Sequence, residues 1–427
     1  MAGANFSDLQ TWGMLKDMYE DDVTYIEHIM SSFYNFIRHA RDGEVEFDGL
    51  VFKVPLKLQL NESYAALNDG ERLPEADQTK GIFASYSPKR MYSSIEATNF
   101  AATRGHRNGR PNGKYIDDLM KGTLLSMMSN LDFDLLGNGR GYRAEIATAT
   151  PAASSFTCVT SMWLRPGMKL DWWDSTYATK RGSIKISEKG IDRMSKAVYI
   201  DSAFGDGAVP TGATAGDRLT VYGAIDANEP SDGRYMAGME RLTDNTVDLG
   251  GYNSSDYAAW AAVVTNAAGA HPSQELLQQH WDHQYQISGM YPDRFVFNPA
   301  WKRGYLQPFL NQRRFSGNSF DTGATSLTFD PLKMGKDEKN KKPVQFEMLE
   351  DKNCPPTTNY IFSYESFCLA SDYADAPHLA DEDGSELRLR DGYDVLHGFY
   401  RYWANTVVKT RNGLGRIYNY ATPSGVL

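Results

Sequence analysis

Apolar and polar residues alternate in two segments of the first hundred residues. Near residues 53–60 the apolar positions are Val54, Leu56, Leu58 and Leu60. Near residues 90–98 they are Met91, Ile95 and Ala97. A period of two predicts β-strands with one apolar face. The residues between these segments favour turns, so the pattern predicts a long hairpin over residues 46–98. Because an isolated two-stranded ribbon is marginally stable, we expect a neighbouring copy of the chain to cover its apolar face.

One helix is predicted before this hairpin and one after it. Apolar residues recur at three- and four-residue steps over residues 14–37, which indicates an amphipathic helix in an N-terminal arm. The same spacing from Ile116 to Leu135 predicts a second, longer helix. Gly137 follows directly and is expected to end this helix.

The second half of the chain changes its pattern twice. Short alternating runs separated by turn residues over residues 155–249 predict an all-β insertion. A mixed α+β region follows. Its predicted helices cover residues 257–266, 273–287 and 301–309, and its predicted strands cover residues 294–298, 344–349, 358–362 and 386–390. The aromatic segment over residues 393–420 gives no clear boundaries.

Composition restricts the class of protein. The 427 residues carry a formal net charge of -10 and are 41% hydrophobic, which favours a large folded chain over a disordered one. The acidic balance argues against a protein that reads nucleic acid along a basic face. Neither a signal peptide nor a membrane-spanning run is evident. The three cysteines are widely spaced and predict reduced thiols rather than a disulfide framework.

No convincing active site is present in the sequence. His280 and His283 have the spacing of two zinc ligands on one helical face, and His271 lies nearby, but a third ligand is missing. The glycine-rich run 137–141 ends a helix, whereas phosphate-binding loops begin one. The acidic run 381–384 lacks the remaining ligands of a calcium loop. We therefore expect no catalytic residue, no cofactor, no metal and no enzymatic activity.

The order of these elements resembles that of a known family. A helical arm, a polar-tipped hairpin, a long helix ending in Gly137–Gly141 and a mixed α+β domain follow one another as in the major capsid proteins of tailed bacteriophages. The local strings 71–76, 135–139 and 351–355 are similar to that family as well. The resemblance implies an α+β chain with the Hong Kong 97-like major capsid fold, comprising an N-terminal arm, a long extended β-hairpin loop, a spine helix and an inserted β-rich domain.

The resemblance also implies a division of the chain. Residues 1–45 would form the N-terminal arm and residues 46–98 the extended loop. Residues 99–154 would form the peripheral domain with its spine helix, and residues 155–250 the inserted β-rich domain. Residues 251–427 would form the axial domain and returning segments of the peripheral domain.

The function implied is that of a major capsid protein of a tailed double-stranded DNA phage. Such chains assemble with copies of themselves through pentamers and hexamers into an icosahedral shell, so the implied location is the virion, after assembly in the host cytoplasm. Decoration, portal and scaffold proteins are further expected partners, packaged DNA would be contacted non-specifically, and no membrane is expected. An encapsulin-like bacterial compartment and a hydrolase with a β-rich accessory domain remain alternatives.

The residues expected at contacts between subunits lie on the arm and on the predicted hairpin, including its tip. Lys80 is also a conceivable donor for a covalent crosslink, as in some relatives. The full set is Leu15, Phe33, Val54, Leu56, Leu58, Leu60, Leu73, Lys80 and Tyr92.

Overall fold

The computed structural model describes residues 32–40, 44–69, 71–75, 78–98, 113–225, 233–310, 347–372, 376–380, 387–389 and 392–421. The helices in this part of the chain are α1 (Ser32–Phe36), α2 (Gly113–Leu136), α3 (Met239–Leu242), α4 (Gln274–Ser288) and α5 (Pro299–Leu310), with 3-10 turns at Ala258–Trp260 and Arg411–Gly413. None of these helices is long and apolar enough to cross a membrane.

The strands fall into an N-terminal, a middle and a C-terminal group. The first group comprises β1 (Glu46–Phe47), β2 (Phe52–Gln59), β3 (Lys80–Tyr86) and β4 (Lys89–Thr98). The second comprises β5 (Tyr142–Thr148), β6 (Ser155–Cys158), β7 (Lys169–Trp173), β8 (Lys180–Asp192), β9 (Ala197–Ile200) and β10 (Arg218–Val221). The third comprises β11 (Val263–Asn266), β12 (Arg294–Phe297), β13 (Glu347–Glu350), β14 (Asn359–Phe362), β15 (Phe367–Ser371), β16 (His378–Leu379), β17 (Arg388–Leu389), β18 (Val395–Val408) and β19 (Leu414–Tyr418).

The long helix α2 forms where the sequence predicts it. Its last three turns bury Met127, Leu131 and Leu135, which recur at four-residue steps on one face. The helix ends at Leu136, one residue before Gly137. The left-handed backbone conformation expected at such an end falls at Gly139 rather than at Gly137, with φ of 80°.

The hairpin is shorter than the sequence predicts. β2 pairs with β3, from Phe52 opposite Tyr86 to Gln59 opposite Lys80. The predicted return strand over residues 90–98 does form, as β4, but it pairs with β18 over ten residue pairs. The prediction that β4 returns along β2 is therefore wrong. Alternation shows that a strand has one apolar face, but it does not show which strand lies beside it.

The middle group of strands closes into a six-stranded barrel in the order β10-β5-β6-β9-β8-β7. Its interior is a separate hydrophobic core that includes Leu170, Trp172 and Ile184, each fully buried. The barrel begins at β5, which precedes the predicted start of the β-rich insertion at residue 155. Trp163 joins the barrel to the main core of the subunit, a separate cluster that includes Leu131, Phe362 and Val407. Its indole N–H donates to the carbonyl of Asn353 at 2.7 Å.

A five-stranded sheet in the order β11-β19-β14-β12-β13 forms the C-terminal layer. Residues of α4 and α5 pack on it through a core that includes Trp281, Trp301 and Ile417. The predictions of α4, β12, α5 and β14 are confirmed to within a few residues. The predicted helix over residues 257–266 is wrong. Its second half is β11, which pairs in parallel with β19, as suits the β-branched run Val263–Thr265.

Candidate inter-subunit surface

The base of the hairpin is fixed to its own subunit. Val54 and Leu56 on β2 expose only 5% and 8% of their surface, and Ala84 and Tyr86 on β3 are buried beside them in the main core. The Tyr86 hydroxyl donates to the carbonyl of Val408 at 3.2 Å. The expectation that a neighbouring copy covers the apolar face is therefore wrong for the base, because the same chain already covers it.

A glycine makes this close attachment feasible. Gly250 adopts a left-handed backbone with φ of 64°, and its carbonyl accepts the backbone N–H of Ser85 at 3.1 Å. A Cβ atom at this position would lie 2.8 Å from the Cβ of Ala84. Glycine is thus required here for two reasons, its conformation and the lack of space.

The tip of the hairpin, residues 60–79, presents apolar side chains that its own subunit leaves uncovered. Leu60 exposes 63% of its surface, Tyr64 95% and Leu73 78%, and Leu67 is also exposed. Large apolar side chains exposed together indicate an interaction surface more often than single ones do. The described residues of this tip form no helix and no strand.

A compact turn organises the end of the tip. The backbone N–H of Asn68 donates to a Glu71 carboxylate oxygen at 2.9 Å, and the Asn68 side-chain amide donates to the other oxygen at 3.0 Å. These hydrogen bonds lower the pKa of Glu71. Glu71 is therefore ionised at neutral pH, and residues 60–75 carry four carboxylates against one guanidinium.

The other predicted contact residues fall in different places. Phe33 is fully buried in the main core, so its assignment to an inter-subunit contact is wrong. Lys80 is exposed at the start of β3, where it faces Gln59. Leu15 and the side chain of Leu58 lie outside the described residues.

Tyr92 belongs to a second exposed surface, on the face of the β4–β18 pair. It exposes 54% of its surface, and its hydroxyl accepts the indole N–H of Trp403 at 3.1 Å. The guanidinium carbons of Arg90 and Arg401 lie 5.6 and 5.4 Å from the centre of the Trp403 ring. This cationic and aromatic face was not predicted from the sequence, because half of it comes from residues 393–420, where no element was predicted.

The two histidines of the pair lie in different surroundings. His280 is buried, and its Nδ1 lies 2.8 Å from the Thr265 hydroxyl, whereas His283, one turn further along α4, is exposed. Burial lowers the pKa of His280 to about 3, so the ring is neutral. Within the described ranges, no group of three His, Cys, Asp or Glu side chains could hold a metal ion.

This architecture was compared with those of known proteins. No family model matches the chain. No curated protein matches it. Among solved structures, the chain is similar to the capsid asymmetric unit of cyanophage A-1(L), with a TM-score of 0.53 and 10% identity over 96% of this chain and 98% of that chain. The chain has the Hong Kong 97-type capsid fold.

Two further matches have lower scores. The capsid of a native GTA particle matches with a TM-score of 0.44 at 9% identity, over 98% of this chain and 100% of that chain. An encapsulin complex from Synechococcus elongatus matches with a TM-score of 0.41 at 7% identity, over 97% of this chain and 96% of that chain.

Proposed function

We propose that this chain is the major capsid protein of a tailed double-stranded DNA phage and assembles with its own copies, through pentamers and hexamers, into an icosahedral shell. The observation that carries the proposal is the hairpin: its base is buried in its own subunit, while Leu60, Tyr64 and Leu73 at its tip are exposed. A projection that is rigid at one end and uncovered at the other suits a chain whose folding is completed by a neighbour.

The fold supports the following proposed roles for the parts of the chain. Residues 1–45 act as the N-terminal arm, residues 46–98 contain the extended loop, and residues 99–154 contain the spine helix α2 of the peripheral domain. Residues 155–250 contain most of the inserted barrel, whose first strand, β5, lies before residue 155. Residues 251–427 build the axial domain around the five-stranded sheet and return β18 to the peripheral domain.

Shell formation by many modest contacts is energetically reasonable. Burying one exposed leucine contributes about 1.5–3 kcal/mol, before the costs of ordering the tip and of association. A single tip therefore binds weakly, and a free subunit stays soluble. In a closed lattice each copy both gives and receives such contacts, so their sum makes the shell durable.

The remaining partners follow from the same proposal. The net charge of -10 favours a wall that repels packaged DNA rather than one that grips it, so DNA is contacted non-specifically. Portal, decoration and scaffold proteins are the other expected partners. The chain acts in the virion after assembly in the host cytoplasm, and it acts as a structural protein rather than an enzyme.

Electron microscopy and sedimentation of the expressed chain test the proposal. We expect closed shells of uniform size, and we expect native particles that contain the chain to hold genomic DNA. Native particles that hold an enzyme cargo instead would favour the encapsulin-like alternative. A folded chain that stays monomeric at micromolar concentration, alone and with the scaffold and portal candidates of its own genome, would contradict shell formation.

A further inference from the structure

A groove of about 860 Å³ lies between the main body of the subunit and the barrel. Its lining combines apolar side chains, Met127 and Leu131 of α2 and Leu170 of β7, with the aromatic residues Tyr222 and Tyr235. Sites for small molecules have volumes of about 300–1,000 Å³ and a mostly apolar lining with a few charged or polar groups. The shell function proposed above assigns no ligand to this groove.

Arg143 supplies the groove with a buried guanidinium, since its side chain is 1% exposed. Its Nη1 forms an ion pair with Asp134 at 2.9 Å and donates to the carbonyl of Tyr142 at 3.0 Å. Its Nε and Nη2 have no hydrogen-bond partner among the described residues. These two nitrogens form one side of the planar guanidinium, so their N–H groups are parallel and match two oxygens of an anion. A buried pair of unused donors calls for such an acceptor.

Aromatic rings hold this guanidinium in place. Its central carbon lies 5.5 Å from the centre of the Phe133 ring and 6.0 Å from that of Tyr235. Cation–π contacts of this kind stabilise a buried arginine without using its N–H donors. The donors are therefore positioned before a ligand arrives, which reduces the entropy that binding costs.

The charge of the lining favours a dianion over a monocarboxylate. Arg90, Lys169 and Arg234 line the groove together with Arg143, whereas Asp134 is the single carboxylate among its described lining residues. A carboxylate ligand brings one negative charge. A phosphate monoester brings about 1.5 to 2 negative charges at neutral pH and three strong acceptor oxygens, which suits four basic side chains better.

Two further features give the groove hydrogen-bonding capacity. Residues 90–94 of β4 line it, and alternate residues of an antiparallel strand direct their N–H groups away from the partner strand, which here is β18. Asn130 also lines the groove, and its Oδ1 is a buried acceptor without a partner in the described part of the chain. A hydroxyl on the ligand would satisfy this acceptor.

We propose that this groove binds a small phosphate monoester, with two phosphate oxygens on Nε and Nη2 of Arg143. The neutral part of the ligand packs against Met127, Leu131 and Leu170, and a ligand hydroxyl donates to Asn130. This site goes beyond the proposed shell function. Because the groove lies between the main body and the barrel, a bound ligand contacts both and stabilises the folded subunit.

Isothermal titration calorimetry of the full-length, unassembled chain tests this site with adenosine monophosphate, inorganic phosphate and adenosine as ligands. We expect adenosine monophosphate to bind at least about tenfold more tightly than inorganic phosphate, because only the ester covers the apolar lining. We expect adenosine, which lacks the dianion, to bind at least about tenfold more weakly than its monophosphate. No binding of the monophosphate, or an affinity equal to that of phosphate or of adenosine, would overturn the proposal.

Two charge-matched double variants locate the site. Lys169→Gln with Arg234→Gln removes two exposed basic residues of the groove and should weaken binding of adenosine monophosphate at least about tenfold. Lys189→Gln with Lys196→Gln removes the same charge from barrel positions that do not line the groove and should leave the affinity unchanged. Equal losses in both variants would indicate adventitious binding of an anion only and would overturn the proposal.

Arg143→Lys tests the paired donors themselves. It keeps a positive charge beside Asp134 and removes Nε and Nη2, so the affinity should fall at least about tenfold. Unchanged affinity in a folded Arg143→Lys chain would overturn the proposal, and if that variant does not fold, the two double variants decide. All these measurements use unassembled subunits, so their failure leaves the capsid function standing, and a failure to form shells leaves the groove site standing.

Discussion

The buried carboxylate of Asp132, on α2, accepts the backbone N–H of Phe33, on α1, at 3.0 Å. The same oxygen accepts the N–H of Tyr34 at 3.0 Å, and the other oxygen accepts the side-chain amide of Asn353 at 2.7 Å. One side chain thus joins the end of the arm, the long helix and the loop that precedes β14. The groups that bond to Asp132 lie 98 to 221 residues from it in the chain.

The Asp132 contact predicts a pH-dependent stability. Burial, reinforced by the nearby Asp351 carboxylate, raises the pKa of Asp132 to about 7, above its ordinary value of 3.8. The folded chain therefore holds a proton that the unfolded chain releases, and this stabilisation is lost as the pH rises from about 4 through 7. We expect Asp132→Asn to lose this dependence, so the melting temperature of wild type minus that of the variant is larger at pH 5 than at pH 8.

The melting temperatures of wild type and Asp132→Asn must be compared at each pH, because the titration of His280 changes the stability in the opposite direction. Its pKa is lowered to about 3 by burial, so its contribution to stability is lost as the pH falls from about 6.5. This contribution is the same in wild type and in Asp132→Asn and cancels in the difference. A difference in melting temperature that is equal at pH 5 and pH 8 would show that Asp132 does not titrate in this range.

Leu73 at the hairpin tip is expected to act on assembly and not on folding. It is 78% exposed in the subunit, so Leu73→Asp should change the free energy of unfolding by less than about 0.5 kcal/mol. In a shell the new carboxylate would be placed in a contact that desolvates it, so shell formation should fall at least tenfold by sedimentation. Met194→Asp is the control, because Met194 is 83% exposed on the barrel. Equal shell yields from both variants would argue against a contact at the tip.

Leu56 at the hairpin base is expected to act on folding. Its side chain is buried in the main core of its own subunit, so Leu56→Ala should lower the free energy of unfolding by about 2–4 kcal/mol. Leu60→Ala, four residues further along the chain and 63% exposed, should change it by less than about 0.5 kcal/mol. Urea unfolding of the two variants as subunits measures both values, and a larger effect for Leu60 would contradict the burial pattern.

Gly415 on β19 is expected to tolerate no side chain. A Cβ atom there would lie 2.5 Å from His280 Nε2 and 2.8 Å from the carbonyl of Ile361. We expect Gly415→Ala to cost about 1–3 kcal/mol of folding free energy through overpacking. Gly81→Ala is the matched control, since its Cβ would meet only the carbonyl of Leu56 at an ordinary 3.5 Å. Calorimetry of both variants should show a lower melting temperature for Gly415→Ala alone.

Residues close in sequence carried most of what could be predicted. The helix α2 and its end near Gly137 follow from apolar spacing and a terminating glycine, and α4 and α5 follow from similar local signals. The segment from Val263 to Asn266 was wrongly predicted as part of a helix because its short apolar run suits either structure, and pairing with β19 makes it a strand. The cationic and aromatic face around Trp403 had no local signal, since Tyr92 on β4 and Trp403 on β18 are 311 residues apart in the chain.

The sequence by itself determined most of the strand and helix segments, the acidic balance of the chain, and the turn-rich, polar character of the hairpin tip. Only the tertiary structure decided which strands lie side by side. In it β4 pairs with β18, and the base of the hairpin is buried in its own subunit. The physical reason is that hydrophobic periodicity shows only which face of a single strand or helix is apolar. Strand pairing and burial depend on contacts between elements that are distant in the sequence, and several elements can compete for the same apolar face or hydrogen-bonding edge.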